Sequence, residues 1–339
     1  MSILYLLLAL LAFSVLIVGH EFGHFIVAKL NNVKVEEFSV GMGPKLLGIK
    51  GKETEYCIRA IPLGGYVKML GEQGEDSKDA RAFNNKKPLQ RLAITSAGPI
   101  MNFILAVIFF AIISSINGVA VPIVSKVVQK SPAYIQGIHE GDKIVKVDGK
   151  KIGTWDEFVQ SVGEKNGKKL ELTLMRKSKL VTKTIEPVKV PEENRYIIGI
   201  YPSIKKVSVG EAISHGFSEI KSIVKMTFDF LGKLFTGKVS ANGVGGPISV
   251  FRISTKAAQS GLLSLLTISA YISVQLAIFN LLPIPALDGG WILFSLIEIV
   301  IGKKLNDEIV GKLNYVGFVF LLTLVALVTI KDILYPLKL

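Results

Sequence analysis

Four stretches of this chain carry no Asp, Glu, Lys or Arg: Met1 to Gly19, Leu92 to Ser125, Ala257 to Leu287 and Leu313 to Ile330. A helix of roughly 20 apolar residues crosses the hydrocarbon core of a bilayer, and hydrocarbon admits only elements that satisfy their own backbone hydrogen bonds. The chain is therefore read as an α-helical integral membrane protein with four transmembrane helices, in line with a mean hydropathy of +0.47. The first stretch is read as a retained helix rather than a cleaved signal peptide. It lacks a basic n-region and runs into Gly19-His20-Glu21-Phe22-Gly23-His24 without a small-residue cleavage site.

Charge sets an expected topology. The loop from Lys29 to Arg91 holds twelve Lys and Arg against eight Asp and Glu, and the connection after the third span holds Lys303, Lys304 and Lys312. The positive-inside rule assigns both to the cytoplasm. The insert between spans two and three is also Lys-rich, but at about 140 residues it is too long for that rule to oppose translocation. Both termini and the insert are thus expected outside, with the lipid bilayer as one partner of the chain. The net charge of +13 is spread through loops with acidic neighbours, so no nucleic acid partner is expected. A single cysteine, Cys57, excludes an intrachain disulfide and a thiolate metal site.

Between the spans the chain is not uniform. Residues 38–69 are rich in glycine and contain strand-forming residues around Glu55 to Ile61, which suggests short hairpins. Bare backbone at membrane depth needs protein or a water-filled cavity beside it, so these hairpins are expected to dip into the membrane next to an active site. Residues 121–190 read as a separate α+β domain, with strands at Pro122 to Val128, Gly141 to Gly149 and Leu170 to Arg176 and a helix near Trp155 to Val162. The pattern resembles a single bacterial PDZ domain, a fold that binds an extended peptide by adding it to a sheet edge; a spacer that binds nothing is the competing explanation. Residues 191–260 read as a linker with an amphipathic helix from Val209 to Lys238, either on the membrane surface or packed on the bundle. The membrane core is expected in two parts, 1–120 and 261–339.

The chemistry concentrates at His20-Glu21-Phe22-Gly23-His24, an H-E-x-x-H motif at the end of the first apolar helix. Spacing of i, i+4 brings both imidazoles to one helix face, where two nitrogens can hold one Zn²⁺, and Glu21 lies within reach of a water on that metal. Two helix-end histidines satisfied by water or lipid headgroups would explain the same letters. The cost of three ionisable residues embedded in an apolar span argues against that explanation.

A catalytic zinc keeps three protein ligands. Of the remaining histidines, His139 lies in a turn of the insert and His215 on the amphipathic helix, whereas Asp288 ends the third apolar stretch after Pro283 and Pro285. Asp288 is the expected third ligand, with a turn or N-cap Asp before Gly289-Gly290 as the alternative. Two embedded amides complete the set, and each could simply bond a neighbouring helix; Asn280 is read as a substrate or oxyanion contact, and Asn102 as a helix-packing residue.

Together, H-E-F-G-H in the first span, A-G-P-I-M-N-F at residues 97–103, the PDZ-like insert and N-L-L-P-I-P-A-L-D-G-G at residues 280–290 resemble the site-2 protease family. Order and spacing are similar to its bacterial branch, the regulator-of-sigma-E type, with one PDZ domain where the best-known pattern has two. The resemblance implies a zinc metalloendopeptidase of the bacterial cell (inner) membrane with its active site near the cytoplasmic side. It implies His20, His24 and Asp288 as zinc ligands, Glu21 as catalytic acid/base, Asn280 facing substrate, and residues 38–69 as a membrane re-entrant β-loop. The implied substrates are membrane-spanning proteins already trimmed by another protease, such as anti-sigma factors or remnant signal peptides, cut in regulated intramembrane proteolysis. The rival readings are a non-catalytic adaptor that captures peptides through its PDZ domain, and a metal-binding transporter or sensor.

Overall fold

The structure is a computed structural model that describes residues 3–72, 78–190, 195–237 and 245–336. The chain divides into two compact units, one formed by residues 1–113 and 213–339 and the other by 114–212.

The first unit holds four helices long and apolar enough to cross a membrane: α1 (Ile3–Leu30), α2 (Pro88–Asn117), α7 (Leu262–Leu281) and α9 (Asp307–Leu334). Three more, α5 (Val209–Phe235), α6 (Pro247–Ser260) and α8 (Asp288–Ile301), complete its α-helices among the described residues, beside a short 3-10 turn at Phe83–Asn85. The third apolar stretch is thus not one rod. Gly261, with φ of +119°, separates α6 from α7, and Leu282 to Leu287 separate α7 from α8. Asp288 thereby opens a new helix instead of ending an old one.

Strands β1 (Val35–Lys50) and β2 (Glu55–Met69) fold back on themselves. Residues 35–40 pair with both 65–69 and 55–58, while 45–50 pair with 55–59. Two long strands therefore behave as four short segments, with repeated register shifts at the corners. Gly41, at φ of +87°, makes one of these corners, where a Cβ would meet the Ile61 carbonyl at 2.7 Å. The sheet is anchored by Val35, Val67 and Met69, which share a buried cluster with Ala28, Val33, Phe83 and Ile94, and Trp291 packs against it. That cluster ties the end of α1, the sheet, α2 and α8 together.

A second cluster joins Ala106 and Phe110 of α2 to Ala270, Val274 and Ile278 of α7 and Ile223 of α5. Gln275 of α7 donates to Thr227 of α5 at 2.9 Å. The amphipathic helix is thus packed on the helical bundle, which selects one of the two placements left open by its sequence. Buried Arg91 of α2 pairs with Glu298 of α8, and Asp332 of α9 accepts from the Gly246 and Ser249 amides at the start of α6.

The second unit contains β3 (Val119–Val127), α3 (Pro132–Ile135), β4 (Lys143–Val147), β5 (Lys150–Lys151), α4 (Trp155–Glu164), β6 (Leu170–Arg176), β7 (Lys179–Ile185), β8 (Val188–Val190), β9 (Arg195–Ile197) and β10 (Ile200–Lys205). Strand order in its main sheet is β10-β3-β4-β6-β7, with β5 on β4. Leu170, Leu172 and Leu174 alternate inward onto Val124, Ile144 and Phe158, the period of two that a half-buried strand requires. Helix α4 begins with a capping box between Thr154 and Glu157. Because β10 pairs with β3, the sheet continues through Lys205, into residues expected to form the linker.

Candidate metal centre

Helix α1 projects His20 and His24 from one face, as the four-residue spacing demands, and both are buried. Their Nε2 atoms lie 3.2 Å apart. Across from them, Asp288 at the first turn of α8 places Oδ2 3.1 Å from His20 Nε2 and Oδ1 3.4 Å from His24 Nε2. Donor atoms around a tetrahedral zinc with bonds of about 2.0–2.1 Å lie roughly 3.3 Å apart. The three side chains therefore already stand at the mutual spacing of ligands to one ion. Asp288 Oδ2 is buried and turned toward His20 Nε2, as suits an atom that shares a cation with that imidazole.

The surroundings explain why these residues converge. Gly23 of α1 faces the Ala97 carbonyl of α2, where a Cβ would come within 2.4 Å. This contact brings α2 against the histidine face. Gly289 and Gly290 are required for a similar reason: a Cβ on either would strike the Leu282 or Ile284 carbonyl of the connection that folds back over the first turn of α8. The Asp-Gly-Gly sequence is thus a carboxylate followed by two residues slim enough to let a loop cross the helix start. Within that loop Ala286 has a φ of +76°, and its amide donates to Asn314 Oδ1 of α9 at 3.0 Å. Non-glycine residues seldom adopt this conformation, and they do so mainly where neighbours enforce it.

One imidazole has its tautomer fixed. His24 Nδ1 lies 2.8 Å from the Ile94 carbonyl, which can only accept, so the proton belongs on Nδ1 and Nε2 is left bare for a metal.

Glu21 and Asn280 line the same cavity of about 1140 Å³ as the three candidate ligands. Its rim includes Tyr66 to Met69 of the sheet, Glu72, Arg91 and Trp291. Glu21 and Val67 line this cavity together, which sets the motif beside the edge of the sheet. Burial pushes the Glu72 carboxyl up to about 7.

Residues 8–324 match peptidase family M50. The chain belongs to that family. A Clostridium acetobutylicum protein with a provisional zinc metalloprotease name is 46% identical over the whole of both chains. Zinc metalloprotease RasP of Bacillus licheniformis is 31% identical over 96% of this chain and 97% of its own. Regulator of sigma-W protease RasP of Bacillus subtilis is 28% identical over the same shares. The PDZ domain of the SdrC-like protein of Listeria innocua aligns over 26% of this chain and 97% of its own, at 25% identity and a TM-score of 0.23.

As a member of family M50 the chain is an integral-membrane zinc metalloendopeptidase, and the donor set of two imidazoles and a carboxylate fits zinc. His20, Glu21, His24, Asn280 and Asp288, all singled out from sequence, meet at one cavity. Asn102, expected to bond a neighbouring helix, does so at the metal centre itself, with its Nδ2 3.2 Å from His20 Nδ1 of α1. Sequence reasoning also passed over Gly98, Glu72 and the Ile94 carbonyl. Gly98 stands in the A-G-P-I-M-N segment already noted, one helical turn before Asn102, and that shared spacing was the available signal. Nothing local marks Glu72 or Ile94.

Proposed function

We propose that His20, His24 and Asp288 hold the zinc and that Glu21 is the acid/base for hydrolysis of peptide bonds within transmembrane segments. The carrying observation is the set of mutual distances of 3.1 to 3.4 Å among the three side chains, with Glu21 on the wall of the same cavity. Bound there, zinc supplies Lewis acidity that polarises the scissile carbonyl and acidifies the attacking water. Glu21 takes the proton from that water as its oxygen bonds to the carbonyl carbon, then delivers it to the leaving amine as the C–N bond breaks. Asn280, half-buried on the cavity wall, is the substrate contact.

A transmembrane helix shields its carbonyls by its own hydrogen bonds, so the substrate must unwind at the cut. Residues 66–69 pair with 35–39 on one side and line the cavity, which supports extended substrate lying along this edge within a re-entrant β region. The substrates are single-span proteins already trimmed outside, with anti-sigma factors and remnant signal peptides as the classes. The name of the Bacillus subtilis relative, regulator of sigma-W protease, supports the first class.

The insert acts as a PDZ-type capture module. An apolar groove of about 310 Å³ between α4 and the β9–β10 region, lined by Phe158, Val162, Ile198 and Ile200, supports peptide binding there. The charge distribution supports an orientation with both termini and the insert outside the bacterial cell membrane and the metal site near the cytoplasmic face. The test is a comparison of membrane proteomes from cells carrying the wild-type chain or Glu21→Gln. Shortened single-span proteins should accumulate with the variant; identical proteomes would contradict the assignment.

A further inference from the structure

Zinc binding through Nε2 requires each histidine to carry its proton on Nδ1, and that proton needs an acceptor. His24 finds one in the Ile94 carbonyl. The group at His20 Nδ1 is the side-chain amide of Asn102, at 3.2 Å. Asn102 is fully buried, and its Oδ1 has no hydrogen-bond partner among the described residues. Its backbone carbonyl takes the hydroxyl of Ser273 in α7 at 2.8 Å, and Ser273 is equally buried. The Ser273 hydroxyl ties α7 to the backbone at Asn102, and burial encloses the side-chain amide beside His20.

That rotation decides the chemistry. With Nδ2 toward His20, the amide donates to a bare Nδ1, and the imidazole proton must sit on Nε2, in competition with a metal. Turning the amide by 180° exchanges two atoms of equal reach. Oδ1 then gains the partner it lacks and accepts Nδ1–H, and the lone pair on Nε2 is released toward Asp288 and His24. Helix packing alone would be served as well by an apolar side chain of the same size, without the cost of burying an amide.

We infer that Asn102 is a positioning residue for zinc binding, accepting the Nδ1 proton of His20 through Oδ1 and so fixing the tautomer that coordinates. This rests on the reading of His20 as a ligand, and the experiment separates the two.

Full-length protein in detergent is titrated with zinc against a chromophoric chelator, for the wild type, Asn102→Leu, Asn102→Asp and His20→Ala. Asn102→Leu keeps the volume and removes the acceptor. It should bind zinc about 10- to 100-fold more weakly, the usual range for loss of an outer partner. Asn102→Asp keeps an acceptor oxygen and should stay within about threefold of the wild type or bind more tightly. The visible bands of the Co²⁺-substituted protein should change in the Leu variant and persist in the Asp variant, a readout that packing alone would not sort this way. Should Asn102→Leu not yield monodisperse protein, Asn102→Ala takes its place. Wild-type affinity in the Leu variant alongside lost zinc in His20→Ala overturns the role of Asn102 and leaves the ligands standing. An Asp variant as weak as Leu overturns it too, because the amide would then be serving packing. Retained zinc in His20→Ala overturns the ligand reading and this inference together.

Discussion

Gly98 of α2 lies directly against His24: a Cβ built on it would stand 2.3 Å from His24 Nε2 and 2.7 Å from His20 Nε2. The missing methyl group keeps open the space between the two Nε2 atoms. Helix α2 thus contributes to the centre by an absence at Gly98, by a carbonyl at Ile94 and by an amide at Asn102.

Gly98→Ala should therefore displace the imidazoles while leaving the helix intact, since alanine is the better helix former. Overpacking of this kind costs typically about 1–3 kcal/mol, which corresponds to zinc affinity roughly 5- to 150-fold lower. Metal content after dialysis is the measurement. Full retention would show that α2 can move away without loss.

Asp288→Asn keeps the shape of the side chain and one carbonyl oxygen but removes the charge that faces two imidazoles at 3.1 and 3.4 Å. Zinc should be lost during purification, and cleavage with it, while the helix content by circular dichroism stays unchanged. Stoichiometric zinc in the purified variant would assign the third ligand elsewhere.

The insert should have its own acid limit. Buried Asp142 accepts both forks of Arg176 at 2.7 Å and the His139 amide at 2.9 Å. Burial alone would push the carboxyl up, but these bonds outweigh it and hold the group below the usual carboxylate range. A depressed folded-state value contributes stability that is fully present above the unfolded-state pKa of about 3.9 and is lost as pH falls through the folded value. Hydrogen-exchange protection of β4 and β6, corrected for intrinsic rates, should thus fall below about pH 4. Asp142→Asn should be less stable at neutral pH by about 1–3 kcal/mol, because Arg176 loses its charged partner. It should also lose less on acidification. Equal acid losses in variant and wild type would remove Asp142 from the account.

What could be read from sequence was what is local. The spans follow from hydropathy, and the shared face of His20 and His24 follows from helical geometry alone. Asp288 was reachable because Pro283, Pro285, Gly289 and Gly290 mark a break that hydrophobic runs rarely tolerate. The contact of Asn102 with His20 joins residues 82 apart, and no periodicity announces it. The four-segment sheet escaped for the same reason: residues 35–40 pair with two different partners, and register between distant segments is set by packing. Strand β7, Lys179–Ile185, hid behind exposed lysines, and β10 lies beyond the point where the domain's apolar alternation fades.

In the proposed mechanism Glu21 moves the protons of peptide hydrolysis while His20, His24 and Asp288 hold the metal. Glu21→Gln keeps the size of the side chain and removes its basicity. The decisive measurement is cleavage of a tagged single-span substrate by purified wild-type and Glu21→Gln protein, with the zinc content of each sample determined in parallel. The variant should hold wild-type zinc and cleave about 100-fold or more slowly. Undiminished cleavage by the zinc-loaded variant would contradict it.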